Sequence, residues 1–159
     1  MTVPTTSGAR LFIGPANDTA SILSDYTGLA WVEVGEVEDL GEFGDQWNSA
    51  NFATLKDGRT RKFKTTRDAG DAEVVVGFDA GDAGQAAMVA ALDSKRDYAF
   101  KVTLDDEDED SPANPTTWYF RAKVMSNRRR IGNSETGAVR RAVTIAVNSN
   151  IVEVAAATA

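Results

Sequence analysis

The sequence predicts a mainly β fold: an antiparallel, barrel-like β-sandwich with one flanking α-helix. Apolar and polar residues alternate with a period of two along most of the chain. A single segment switches to helical spacing, and the remaining stretches carry turn residues. A chain of 159 residues sets the scale at one domain, spanning residues 1–159. A core of that size buries roughly 70% of the unfolded chain's surface and requires no staple or metal.

The strands follow in order. Arg10–Ile13 is a short candidate after an extended N-terminal arm, residues 1–9, and Trp31–Leu40 is a second. Arg61–Thr66 is a third. Val74, Val76 and Phe78 alternate with Glu73, Val75 and Gly77, as a half-buried strand requires. Tyr98, Phe100, Val102 and Leu104 repeat the pattern against Ala99, Lys101 and Thr103. Trp118, Phe120, Ala122 and Val124 do so against Tyr119, Arg121 and Lys123. Val139 through Val147 alternates in the same way, and Ile151–Val154 is a short final candidate.

The helix is expected over about 82–96. Asp82 is placed to cap it, Gln85 sits where a capping box puts Glu or Gln, and Lys95-Arg96 would complement the C-terminal dipole. Met88, Val89 and Leu92 form a narrow, alanine-flanked apolar stripe, so the helix should lie close to a sheet.

Three connections stand out. Asp105–Pro115 is acidic, with Pro112 and Pro115, and reads as a solvent loop. Asn127–Gly137 reads as a basic loop. Residues 41–58 read as a long loop carrying Trp47, Phe52 and Leu55. A disordered linker does not normally hold such residues, so this segment should pack on something.

Charge falls in blocks that alternate in sign. Residues 1–57 hold nine acids and two bases, and residues 58–67 hold Arg59, Arg61, Lys62, Lys64 and Arg67 with no acid. Residues 68–110 hold thirteen acids and three bases, and residues 111–159 hold seven bases and two acids, for a net charge of −7. A single block of this kind is usually solvated surface. Alternating blocks suit a chain that meets copies of itself, acidic face to basic face.

Much chemistry is excluded by composition. The chain has no Cys and no His. Disulfides, thiolate nucleophiles, Cys-ligated zinc and Ser-His-Asp or Cys-His catalysis are therefore absent. Gly132 to Gly137 has the glycine spacing of a phosphate loop, but Ala138-Val139 replace the necessary Lys and Ser/Thr. The acidic run Asp105–Asp110 lacks the mid-loop Gly and terminal Glu of a calcium hand. Asp68–Asp71 and Asp79–Gly84 do not match the nonapeptide calcium repeat. No carboxylate pair is singled out for glycoside chemistry among 24 acids. Arg128–Arg130 with Arg140-Arg141 offers phosphate contacts, yet a pI of about 4.6 is the wrong field for wrapping nucleic acid. An acidic protein suits DNA as a conduit. The longest apolar run, Ala86–Leu92, is too short to cross a bilayer, and Met1–Arg10 lacks the pattern of a signal peptide. The Asn17-Asp18-Thr19 sequon is accordingly read as chance.

In order along the chain stand Ala9–Gly14, Trp31–Gly41, Leu55–Gly70, one helix beginning near Gly84-Gln85, and Tyr119–Ser126. Taken together they resemble the major tail tube proteins of long-tailed (siphovirus-type) bacteriophages and of phage-derived gene transfer agents. The resemblance covers about Ala9 to Val154, and the acidic Pro112/Pro115 loop departs from it. It implies a non-enzymatic structural protein without cofactor or metal. Six-subunit rings would stack head to tail into a hollow tube through which DNA passes without specific binding. Implied partners are other copies of the chain, a tape measure protein, a tail terminator and distal tail or baseplate proteins. The implied location is the virion tail, assembled in the bacterial host cytoplasm, with no membrane. Segment 41–58 would be the stacking loop, mobile in the free subunit, and Trp47, Phe52, Leu55, Arg59, Arg61, Lys62 and Lys64 the assembly interface. The alternatives are the tube protein of a type VI secretion-like machine, or a β-sandwich module binding carbohydrate or protein. A carboxylate-based enzyme ranks last.

Overall fold

The structure, a computed structural model, describes residues 3–106, 114–135 and 137–156. The strands are β1 (Arg10–Ala16), β2 (Val32–Val34), β3 (Val37–Asp39), β4 (Gln46–Ala53), β5 (Thr60–Asp68), β6 (Asp71–Gly77), β7 (Tyr98–Thr103), β8 (Thr117–Arg130), β9 (Arg140–Val147) and β10 (Val152–Val154). The helices are α1 (Leu23–Thr27) and α2 (Ala83–Asp93).

Eight strands form one sheet in the order β2-β1-β7-β8-β9-β6-β3, with β10 pairing the start of β8. Every pairing in it is antiparallel. The two end strands, β2 and β3, are consecutive in the chain and joined only by Gly35-Glu36. So short a link spans roughly 11 Å at most. The sheet must therefore curl until its ends meet, which makes it barrel-like. Glu36 turns this corner at φ 56, a left-handed conformation that costs a non-glycine residue on the order of 1 kcal/mol. Its carbonyl accepts from Gly77 N–H at 2.7 Å, tying the corner to β6.

The alternation seen in the sequence decides which side chains fill the curl. Leu11, Ile13, Val74, Val76, Phe100, Val102, Phe120, Val124, Val143 and Ile145 are buried in one core, joined by Met88 and Ala91 of α2. Phe100 and Phe120 stack across β7 and β8 at 5.8 Å. No helix of the described residues is long and apolar enough to cross a membrane.

Helix α2 ends at Asp93, earlier than the sequence reading placed it. Lys95 and Arg96 lie beyond it, and Arg96 reaches Asp18 at 2.9 Å instead of serving the helix terminus. Asp82 caps as expected, accepting from Gln85 N–H at 2.9 Å, and it also accepts from Gly35 N–H at 3.0 Å. Gln85 does not close a reciprocal capping box. Its amide donates to the carbonyls of Gly77, at 2.8 Å, and Gly35, at 3.3 Å, and its oxygen accepts from Asp79 N–H. A buried amide bound on all sides fastens the helix start to the β2–β3 corner.

The stripe facing the sheet is Gly84, Gln85, Met88 and Ala91, while Val89 and Leu92 stay exposed. Close approach selects the smaller residues. A Cβ at Gly84 would collide with the Glu33 carbonyl and sit 2.5 Å from Val34 Cα, both backbone of or beside β2. Gly84→Ala is expected to destabilise the fold by about 1–3 kcal/mol through overpacking, although alanine is the better helix former. Chemical denaturation of the variant checks this; an unchanged or raised midpoint would show that the helix can move away.

Helix α1 was not expected. At five residues it is too short to carry a helical period. It forms because Asp25 accepts from the N–H groups of Ser21 and Ile22, and because Tyr26 is fully buried. Tyr26 stacks on Tyr119 at 5.4 Å, in a small second cluster with Ala20 and Ala99. The predicted loop Asn127–Gly137 is also shorter than expected. Strand β8 continues to Arg130, paired with β9 through Arg130↔Arg140. Arg130 and Arg140 are neutralised by Glu73 and Glu38. Of the acidic run, residues 107–110 lie outside the described residues, as does residue 1–2 of the N-terminal arm. Asp106 accepts from Thr116 N–H and its hydroxyl, which close the base of that loop and hold the carboxyl below its ordinary value.

Candidate assembly surface

Residues 41–58, read as a long loop, contain β4 instead, and β4 pairs with β5 in a two-stranded sheet of its own. The hairpin register runs from Gln46↔Asp68 to Ala53↔Thr60, with a bulge where Thr65 and Thr66 face Asn48. Asn48 fills that bulge: its amide donates to Thr66 Oγ1 at 3.0 Å, and its carbonyl accepts from Thr65 Oγ1 at 3.0 Å. Every residue of both strands is exposed. A lone two-stranded ribbon is marginal in water, and among the described residues no third strand pairs with either of its outer edges.

The register sorts the predicted interface onto two opposite faces. One carries Trp47, Ser49 and Asn51 opposite Arg67, Lys64 and Lys62. It is basic. Lys64 Nζ and Arg67 Cζ lie 5.5 and 5.3 Å from the Trp47 ring centroid, within cation–π range. Arg67 also meets Asp45 at 3.5 Å. The other face pairs Ala50 with Phe63 and Phe52 with Arg61. It is apolar, and Phe52 and Phe63 are 58% and 54% exposed. The seven predicted residues are therefore gathered on one hairpin but not on one face.

Leu55 and Arg59 lie in the turn, where Leu55 is fully exposed. Gly58, at φ 62, lets the chain reverse, and its N–H donates to the Thr54 carbonyl at 3.0 Å. Asp57 turns inward. It accepts from the Thr54 hydroxyl, from Arg59 N–H at 3.2 Å and from Arg61 Nη2 at 3.1 Å. These donors, Thr54 foremost, hold its carboxyl below the ordinary 3.8. The turn thus presents Leu55, Lys56 and Arg59 outward while its one acid is occupied.

No protein-family model and no curated protein matches the chain. Solved structures do. A chain of an extracellular contractile injection system, the PVC sheath/tube terminator in its extended state, superposes with a TM-score of 0.70. The match covers 98% of this chain and 99% of that one at 8% identity. A chain of the anti-feeding prophage baseplate gives 0.67 at 11% identity, covering 98% of both. The SPP1 tail tube gives 0.61 at 14% identity, over 95% of this chain and 78% of that one.

The chain has a tail-tube fold. Identities this low carry the architecture and leave the interface residues to be argued from this molecule. In this fold the curled sheet buries its core within the chain, whereas β4 and β5 are exposed along their whole length. Sequence reasoning missed Phe63 and Arg67 as members of the hairpin surface. Both were within reach: Phe63 keeps step with Arg61, two residues before it, and Arg67 closes the basic run.

Proposed function

We propose that the chain is the tube-forming structural protein of a phage-type tail, assembling in rings of six that stack head to tail around a channel for DNA. The observation that carries this reading is the uncovered hairpin β4–β5, with an aromatic face, a basic face and two unpaired edges on an otherwise complete subunit. Such a ribbon needs a partner, and the alternating charge of the chain makes another copy the matching one. The tail-tube fold supports the same reading. The role is structural and non-enzymatic, the site is the virion tail after assembly in the bacterial host cytoplasm, and the further partners are a tape measure protein, a terminator and distal tail or baseplate proteins. On this reading the β4–β5 hairpin, already paired in the single chain, is covered on stacking, so that Trp47, Phe52, Leu55, Arg59, Arg61, Lys62 and Lys64 are buried by neighbouring copies.

A second reading, the tube of a contractile injection machine, is favoured by the fit to the PVC terminator chain over the full length of both molecules. Both readings are tested by electron microscopy of the purified protein at high concentration. Rings or tubes are expected. Monodisperse monomers would overturn both readings and favour a binding module.

A further inference from the structure

The arginines that the sequence gathers in Arg128–Arg130 and Arg140-Arg141 do not form one patch. The β8–β9 register sets Arg128 opposite Ala142, Arg129 opposite Arg141 and Arg130 opposite Arg140. Residues paired across antiparallel strands share a face, and neighbours along a strand alternate between faces. Arg128, Arg130 and Arg140 therefore lie on one side of the sheet, and Arg129 and Arg141 on the other. The first side is largely neutralised: Arg130 meets Glu73 at 2.7 Å, and Arg140 meets Glu38.

Arg129 and Arg141 take the core side. Arg141 pairs with Val76 of β6 and stands two residues before Val143, and both valines are buried. Neither arginine forms an ion pair among the described residues. Asp79, the acid next to Phe78, turns back on its own loop and accepts from Gly81 N–H at 2.9 Å. The Arg141 Nε is buried and has no hydrogen-bond partner among the described residues. Its Cζ lies 4.8 Å from the Phe78 ring centroid, so the ring steadies the guanidinium without offering it a lone pair. Like charges set directly opposite across two strands repel. Their Cβ atoms are about 4.5–5.5 Å apart in such pairs, close enough for two guanidiniums to hold one oxyanion.

We propose that Arg129 and Arg141 form a binding site for a small phosphate dianion, either inorganic phosphate or a phosphate monoester. Two planar forks match two negative charges on a tetrahedral set of oxygens, whereas a carboxylate or a phosphodiester brings one charge. Arg141 is partly buried beside core residues, and a compact ion approaches such a position more closely than a nucleic-acid backbone. Binding cancels the cross-strand repulsion, so the anion stabilises the β8–β9 ribbon at its exposed end. Phosphate binding of this kind requires no tube, and its failure leaves the tube reading untouched.

The test is a titration of the full chain with inorganic phosphate, with chloride holding the ionic strength constant. Broadening of the phosphorus NMR signal and the thermal midpoint are followed together. Saturable broadening and a rising midpoint are expected. Arg129→Gln should weaken binding by roughly 10-fold or more, the loss of one charge-assisted contact. Arg129 is exposed, so this variant is expected to fold. Arg128→Gln, on the opposite face, should leave binding unchanged. Absence of saturable broadening would overturn the proposal. So would equal weakening by both variants, which would mean diffuse attraction to a basic surface. Glycerol phosphate should compete and dimethyl phosphate should not; equal competition by the two would overturn the preference for a dianion. A single-stranded oligonucleotide that binds through Arg129 more tightly than inorganic phosphate would overturn the proposal in favour of nucleic acid.

Discussion

Replacing Phe52 and Phe63 together by Ser should leave the folded chain as stable as before and abolish the proposed tube formation. Both rings lie on the apolar face of β4–β5, more than half exposed and outside the buried core clusters of the described residues. Exposed substitutions away from special contacts change stability by less than about 0.5 kcal/mol. In a tube each ring would lose most of its contact with water, worth roughly 1.5–3 kcal/mol per phenylalanine. On the proposed ring assembly every copy loses the same contribution, so the effect on polymerisation accumulates. Thermal denaturation of the variant subunit and electron microscopy at the wild-type assembly concentration check the two halves. Tubes indistinguishable from wild type would remove the aromatic face from the interface. A charge reversal of Arg59, Arg61 and Lys62 to Glu is a less clean probe, because Arg61 is held by Asp57 and lies opposite Phe52 on the aromatic face.

The largest loss of stability is expected at Asp97. Its side chain is nearly buried and accepts from Arg121 Nη1 at 2.9 Å, Lys123 Nζ at 2.6 Å and Asn148 Nδ2 at 3.2 Å. Arg121 cannot swing away, since it also donates to the carbonyls of Ala20 and Asp18 at 2.7 Å. Asp97→Ala would strand a pinned, mostly buried guanidinium without its counter-ion, a change that costs about 3–5 kcal/mol. Against a typical total of about 5–15 kcal/mol this is severe. Denaturant unfolding measures it directly. A loss below about 1 kcal/mol would show that water reaches Arg121 and replaces the carboxylate. The network has a structural meaning: it fastens segment 17–20, and with it α1, to β7 and β8.

The strands of the curled sheet were legible because each has one wet and one dry side. Tyr98–Thr103, Thr117–Val124 and Arg140–Val147 alternate in the sequence for the same reason that they alternate in burial. Strand β4 was illegible for the opposite reason. Neither of its faces packs on the core, so both Trp47-Ser49-Asn51 and Asn48-Ala50-Phe52 mix apolar with polar residues and no contrast marks a period of two. The end of β8 escaped likewise: Arg128–Arg130 is an exposed ribbon, held by backbone pairing to β9 and not by burial. Helix α1 escaped because a single buried side chain, Tyr26, leaves no pattern to read.

By itself the sequence determined the antiparallel β class, the Asp82 helix cap and the absence of His and Cys chemistry. These are local properties, written in the spacing of neighbouring residues and in composition. Only the tertiary structure decided that Gly35-Glu36 draws the sheet's two ends together and that Phe52 and Lys62 point to opposite sides of one hairpin. Each of these depends on register or on contacts between residues far apart in the chain. A one-residue slip in the β4–β5 pairing would exchange the partners across the hairpin, and nothing in the composition of either strand records which register wins.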